Sequence, residues 1–251
     1  MNLSGNTILM TGGGTGIGMG LAEAFHRLGN HVVIAGRREG VLQKLTDANP
    51  GMEYIVADQS TALGVHELAD VAKQRFPKLN VLVNNAGMQR VEDLTSGDTA
   101  DAEETINTNL LGPIRLTAAL IQQLLAQPHA AILNVSSALG MMPVCTVPSY
   151  CATKAALHSY TQSLRHQLRQ TSVQVIEIVP PAVQTELHGE REQSQGMPLN
   201  EYIAETMALL KEFPDATEIV VERAKRFRFA ARGDYDALYK TVNDRLIATL
   251  R

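Results

Sequence analysis

The feature that most constrains this chain is a glycine-rich turn, TGGGTGIG at 11–18, set between a short β-branched run at 7–11 and a helical pattern at 18–28. Glycine reaches backbone angles closed to other residues and lets the main chain come close to a ligand. The helix that follows offers unpaired N–H groups and a partial positive charge at its N-terminus. Strand, turn and helix in this order make a seat for a pyrophosphate. Gly12, Gly14, Thr15, Gly16, Ile17 and Gly18 are therefore candidate dinucleotide-binding residues. Taken alone, the turn would read the same if its glycines served geometry only, and its GxxxGxG spacing is not the common GxGxxG.

The alternation begun there continues. Apolar, β-branched runs predict strands at 7–11, 31–35, 54–57, 81–84, 131–135 and 173–179. Helical patterns lie between them at 18–28, 38–48, 62–75, 99–126 and 150–169, the fourth interrupted near Gly112 and Pro113. Strands apolar on both faces, alternating with helices, predict an α/β fold, a Rossmann-type doubly wound parallel sheet of six strands. In the fifth helix Ala156, Tyr160, Ser163 and Leu164 recur at three- and four-residue intervals, which predicts a packed face. After position 179, PPAVQTELHGEREQSQGMP has no strand period and predicts a loop opening a lid over about 184–213. Helical patterns at 199–212, 216–230 and 235–250 follow, so the lid and the tail are expected to be helical and a seventh strand is not. No linker is long enough to separate a second unit, and residues 1–251 are expected to form one domain.

Composition removes several classes of function. A formal charge of −4 gives no electrostatic ground for nucleic acid, and the basic tract Arg223, Lys225, Arg226, Arg228 is best read as a solvated helix face. Two cysteines make no disulfide framework, and neither they nor the seven histidines have metal-ligand spacing, so no metal is expected. Nowhere do 18 apolar residues run together, and the first residues do not form a secretory signal. A cytoplasmic protein with no membrane span is expected.

The second predicted strand ends AGRR. A ribose with a free 2′-hydroxyl is usually held by an acidic residue about 20 residues past the glycine turn. Here Gly36 is followed by Arg37 and Arg38, and two guanidiniums without a carboxylate favour a 2′-phosphate. The cofactor expected is NADP(H) rather than NAD(H).

YCATK at 150–154 places Tyr150 and Lys154 one helical turn apart on one face. A phenol is a poor base at neutral pH unless a nearby positive charge stabilises its phenolate. Ser137, in NVSS, stands thirteen residues before Tyr150, where a hydroxyl can meet a substrate oxygen.

Together these motifs resemble the short-chain dehydrogenase/reductase family over roughly 3–187. They are TGGGTGIG, Asp58 after the third strand, NNAG at 84–87, Asn109 in NTNLLGP, Ser137 in NVSS, YCATK, and PPAVQT at 180–185. The resemblance implies hydride transfer between nicotinamide and a carbonyl or alcohol. In that reading Tyr150 is the acid/base, Ser137 orients the reacting oxygen, and Lys154 holds the nicotinamide ribose and lowers the tyrosine pKa. Asn109 would hold a water linking Lys154 to solvent. The resemblance puts Asp58, with Gln59 beside it, at the adenine. It puts Asn85, Ala86 and Gly87 along the adenosine ribose, and Pro180, Val183 and Thr185 by the nicotinamide. Each residue also has a local reading, Asn84 and Asn85 binding neighbouring backbone and Asp58 capping a helix.

Two departures from the family pattern stand out. Pro181 occupies a place where glycine is common, and the tail YDALYKTVNDRLIATLR has no strand pattern. Leu139, Met141, Pro181 and Leu187, with Ser137 and Tyr150, are expected to border a mostly apolar substrate site. A small carbonyl or alcohol is the expected substrate, and a homodimer through the helices at 99–126 and 150–169 the expected assembly, with a tetramer left open. The NNAGMQR stretch and the tail are similar to oxidoreductases of D-alanyl-lipoteichoic acid operons. A catalytically idle NADP(H)-binding sensor with the same fold is the alternative.

Overall fold

The structure, a computed structural model, describes residues 1–187, 195–230 and, beyond these, 233, 237, 238, 240–242 and 245. Its elements run β1 (Thr7–Thr11), α1 (Gly16–Arg27), β2 (His31–Gly36), α2 (Glu39–Ala48), β3 (Glu53–Val56), α3 (Ala62–Arg75) and β4 (Val81–Asn84). They continue with α4 (Ala100–Ile106), α5 (Gly112–Leu125), β5 (Ala130–Val135), α6 (Pro148–Leu168), β6 (Val173–Val179), α7 (Leu199–Glu212), β7 (Glu218–Val220) and α8 (Glu222–Arg228).

All strand pairs are parallel, in the order β3-β2-β1-β4-β5-β6-β7. The chain builds outward from β1 to β3, then returns to lay β4 on the other side of β1. At such a reversal the loops leaving neighbouring strands diverge and open a crevice at the strands' C-terminal ends. The glycine turn leaves β1 there and Asn85–Ala86–Gly87 leaves β4 there.

Side chains alternate across the sheet. Ile8 and Met10 of β1 join a cluster with Phe25 of α1 and Tyr202 of α7, and Leu9 joins another with Leu68 of α3 and Leu116 of α5. Both clusters are closed to water, so the sheet carries a core on each face and its strands are mostly apolar.

Two expectations need correction. A seventh strand exists inside the segment predicted as helix 216–230: Glu218–Val220 pairs with Glu177–Val179 of β6, and the helix starts only at Glu222. Three residues are too few to display a period, and the strand forms because β6 would otherwise present an open edge. The predicted packed face of α6 is displaced as well, since Tyr150, Thr153, Lys154, Leu157, Thr161 and Leu168 are buried while Ser163 is exposed. Polar residues fill much of that inward stripe, so a hydrophobic pattern could not locate it. The helix expected at 199–212 is found at those residues, packed on α1 with Tyr202 fully buried.

Residues 188–194 of the expected lid lie outside the described residues, as does most of the tail helix expected at 235–250, of which 237, 238, 240–242 and 245 are helical. Among the described residues no helix is long and apolar enough to cross a membrane.

Candidate active site

A cleft of about 440 Å³ opens at the reversal point. Its inner end is lined by Gly12, Gly14, Thr15, Gly16 and Ile17, with Arg37, Arg38, Asp58 and Gln59 to one side. Asn85, Ala86, Gly87, Tyr150, Lys154, Pro180, Thr185 and Leu187 complete the expected set found there. Gly18, Asn109, Ser137, Leu139, Met141, Pro181 and Val183 do not line it.

The glycine turn is shaped by a close approach. Gly12 has φ +63°, and a Cβ there would stand 2.7 Å from Ala86 Cα, so the turns after β1 and β4 touch backbone to backbone. Helix α1 begins straight after, and no side chain caps it and no acid sits in its first turn, which leaves its N–H groups free for an anion. Arg38 donates to Thr15 Oγ1 at 3.2 Å and pairs with Glu186 at 3.5 Å, while Arg37 lies 3.8 Å from Glu104. Both guanidiniums stand at the cleft's rim.

The turn after β4 is braced by contacts that no motif signalled. Thr11 Oγ1 accepts the amide N–H of Asn85 and of Ala86, at 3.2 and 3.1 Å. Gln59 donates to the carbonyls of Ala86 and Thr108. The local reading holds for the Asn85 side chain, which donates to the carbonyls of Thr11 and Gly12, whereas Asn84 donates to the side chains of Asn134 and Thr117, far along the chain. Asp58 accepts the amide of Ser60 ahead of α3, but the cap of α3 is Thr61, whose hydroxyl accepts from Gly64.

Asn109 lies in a widened π turn, Asn107–Leu111, between α4 and α5. Such insertions recur at functional sites because they re-aim one side chain without ending the helix. The buried carboxamide brackets Met88, accepting from its N–H and donating to its carbonyl, both at 2.8 Å, and donates weakly to Thr153. With oxygen and nitrogen both engaged by protein, the side chain acts here as a brace on the loop after Gly87.

Tyr150 occupies the first turn of α6, whose start is tied down by a distant acid: Glu92 accepts the Ser149 amide at 3.0 Å and its hydroxyl at 2.5 Å. The turn carrying Ser137 packs so tightly on α6 that a Cβ at Gly140 would stand 2.8 Å from the Lys154 carbonyl carbon. This brings the Ser137 hydroxyl close enough to the Tyr150 hydroxyl to oppose the rise in its pKa, while Ser137 Oγ accepts the Leu139 amide at 3.1 Å. Lys154 Nζ lies 5.6 Å from the Tyr150 ring centre and donates to the Val135 carbonyl at 2.8 Å.

Burial governs both ionisable groups. It pushes the Tyr150 phenol up to about 12, with the Ser137 hydroxyl opposing, and it brings the Lys154 ammonium down to about 8, with Glu177 opposing. In the protein alone the phenol is thus more firmly protonated than usual. Leu139 and Leu187 pack with Val144, Val147, Tyr150 and Cys151, and Val242 of the tail reaches the same apolar cluster. Val183 is buried in the main core and bridges to Met197.

The family model for short chain dehydrogenases matches residues 6–196. An uncharacterised oxidoreductase of Bacillus subtilis, DltE, is 41% identical over 254 residues, 97% of this chain and 98% of that protein. This chain belongs to the short-chain dehydrogenase family. An uncharacterised oxidoreductase of Staphylococcus saprophyticus is 32% identical over 195 residues, 76% of this chain and 83% of that one. Among solved structures, a short chain dehydrogenase of Burkholderia cenocepacia in complex with NADP aligns with TM-score 0.83 at 24% identity, over 96% of this chain and 99% of that one. A Burkholderia phymatum enzyme in complex with NAD aligns with TM-score 0.83 at 23% identity, over 95% and 96%. These likenesses agree on the fold, and the similarity to DltE agrees with the likeness carried by NNAGMQR and the tail. The chain is accordingly an oxidoreductase of this family, and residues given no role in the sequence reading also shape the site: Thr11, Glu92, Ser136 and Glu177.

Proposed function

We propose that this protein is an NADP(H)-dependent oxidoreductase that moves a hydride between nicotinamide and a carbonyl or secondary alcohol of a small, mostly apolar substrate, with Tyr150 as acid/base. The observation that carries this reading is one cleft lined both by an anion seat and by a buried phenol beside a buried lysine.

The residues present fit a dinucleotide. The close approach at Gly12 excludes side chains from the turn, and the uncapped start of α1 presents N–H groups to a pyrophosphate. Arg37 and Arg38 would meet a 2′-phosphate, which supports NADP(H), a cofactor the Burkholderia cenocepacia relative carries in its structure. Asp58 and Gln59 would border the adenine, Asn85, Ala86 and Gly87 the ribose, and Pro180 and Thr185 the nicotinamide. When bound, the nicotinamide supplies or accepts the hydride.

The remaining chemistry falls to the chain itself. A phenol held at about 12 is protonated at neutral pH, so Tyr150 is set to give its proton to a carbonyl oxygen as negative charge develops there. Ser137, whose hydroxyl acts on the same phenol, would help hold that oxygen in line. Leu139 and Leu187 keep the surroundings of Tyr150 apolar, which favours an apolar substrate and excludes water from the proton transfer.

The test is turnover with a panel of aldehydes and ketones, using NADPH and NADH in parallel, for the natural protein and Tyr150→Phe. NADPH should be preferred, and the variant should lose about two orders of magnitude of turnover or more. Undiminished turnover in Tyr150→Phe overturns the mechanism, a preference for NADH overturns the cofactor, and stoichiometric binding without turnover favours the idle sensor.

A further inference from the structure

Glu177 is an acid in the middle of an otherwise apolar strand run, VQVIEIV, and its side chain is fully enclosed. An isolated carboxylate in such a place is strongly disfavoured unless charge and hydrogen bonds compensate it. Both of its oxygens are engaged. Oε1 accepts from Ser136 Oγ at 2.5 Å, and Oε2 is 2.7 Å from His158 Nδ1.

These two partners lead back to the site. Ser136 lines the cleft and immediately precedes Ser137, whose hydroxyl meets Tyr150. His158 follows Lys154 by one turn of α6, and Lys154 donates to the carbonyl of Val135, the residue before Ser136. One enclosed carboxylate thus ties the turn after β5 to the helix that carries Tyr150 and Lys154.

We propose that Glu177 is a positioning residue of this site: the enclosed counter-charge of the Lys154 ammonium and the fixed acceptor that holds Ser136, and through it Ser137, against Tyr150. The proposal rests on the hydride-transfer reading for its functional meaning, though the influence of the Glu177 charge on Lys154 can be measured without it.

Lys154 is buried, which brings its ammonium down to about 8, and Glu177 is the charge that opposes this fall. Other charges face the same carboxylate. Arg165 lies near it on α6, Arg228 of α8 feels it, and Glu218 stands opposite it in the register of β7. His158, Glu177 and Glu218 have ligand atoms within 4.8 Å of one another, a spacing that would also suit a metal ion. Arg228, however, grips both oxygens of Glu218 at 2.8 Å, and His158 already holds Glu177. A cation there would have to displace a guanidinium, so the cluster is read as a charge network that reaches the active site through Lys154 and Ser136.

The test follows the Lys154 side chain directly. Carbon-13 labelled lysine is titrated by NMR in the cofactor-free protein, with the Lys154 signal assigned by its loss in Lys154→Arg. Glu177→Gln, which keeps shape and removes charge, should lower the Lys154 midpoint by about one pH unit or more. Glu177→Asp, which keeps the charge on a shorter arm, should lower it less, and serves as the measurement if the Gln variant does not fold. In activity assays the alkaline fall of kcat/KM should move to lower pH in step with the NMR midpoint. A purely structural role would lower activity at every pH and leave the midpoint in place.

A Lys154 midpoint unchanged within a few tenths of a unit in the Gln variant, or in the Asp variant where only that one folds, overturns the proposal. Tyr150→Phe run alongside separates the two failures. If that variant keeps full turnover the hydride-transfer reading fails, whereas loss of turnover with an unmoved Lys154 midpoint removes only the role given to Glu177.

Discussion

Replacing Lys154 by methionine should make the cofactor-free protein more stable at neutral pH while removing its activity. The lysine is 4% exposed, and burial lowers its pKa from 10.5 to about 8 even with Glu177 opposing. The folded chain therefore binds this proton less tightly than the unfolded chain does. The resulting penalty is fully present below pH 8, shrinks as the pH rises above 8, and is gone beyond 10.5. At about 1.4 kcal/mol per pH unit the difference amounts to roughly 3 kcal/mol.

Methionine occupies a similar length without charge, but it forfeits the bond to the Val135 carbonyl, worth roughly 1 kcal/mol. The net gain at pH 7 is then about 2 kcal/mol, and it should fall close to zero by about pH 10 as the penalty it relieves disappears. Tyr150, raised to about 12, withdraws stability between its unfolded value of 10.0 and 12 in both proteins and so drops out of the comparison. Urea denaturation of the two proteins without cofactor, at the two pH values, measures the effect. Equal stability at pH 7, or a gap that does not change with pH, would refute the claim that this lysine is held at an energetic cost by the fold.

Two further outcomes test the walls of the cleft. Gly12→Ala should cost about 1–3 kcal/mol and weaken dinucleotide binding, because alanine is strained at φ +63° and its Cβ would press on Ala86 Cα at 2.7 Å; denaturation and a fluorescence titration with NADPH read both, and unaltered values would mean that the turns after β1 and β4 can separate freely. Thr11→Val should lower the melting temperature by a few degrees, corresponding to about 1–3 kcal/mol for two amides left without their acceptor; Thr11→Ser, which keeps the oxygen, should restore most of it, and equal losses in both variants would point to packing instead.

Much of the site was legible because its chemistry is encoded locally. The glycine turn, Arg37–Arg38, and the Tyr150–Lys154 pair each depend on residues within a turn or two of one another, so spacing alone places them on one face or one loop. Asn109 was found by motif, yet its bonds to Met88 were not, since they join residues 21 apart across two elements. The bracing roles of Thr11 and Glu92 carry no signal at all. A threonine ending a strand and a glutamate in a loop are ordinary until a chain segment 57 or 74 residues away folds onto them. Glu177 left one trace, an acid in a strand that should be apolar.

The amino-acid sequence by itself determined the order of strands and helices, the α/β class and the family, because alternating periodicities and short motifs are properties of neighbouring residues. It also determined which groups could do chemistry. Only the tertiary structure decided that β7 exists, since a three-residue strand forms when β6 offers an edge to pair with. Only the tertiary structure decided which face of α6 turns inward, because Thr153, Lys154 and Thr161 are buried by what packs over them and not by their own hydrophobicity. The protonation of the site belongs to that level too. Phenol and ammonium are moved to about 12 and about 8 by the loss of water around them, and desolvation is a property of the whole fold.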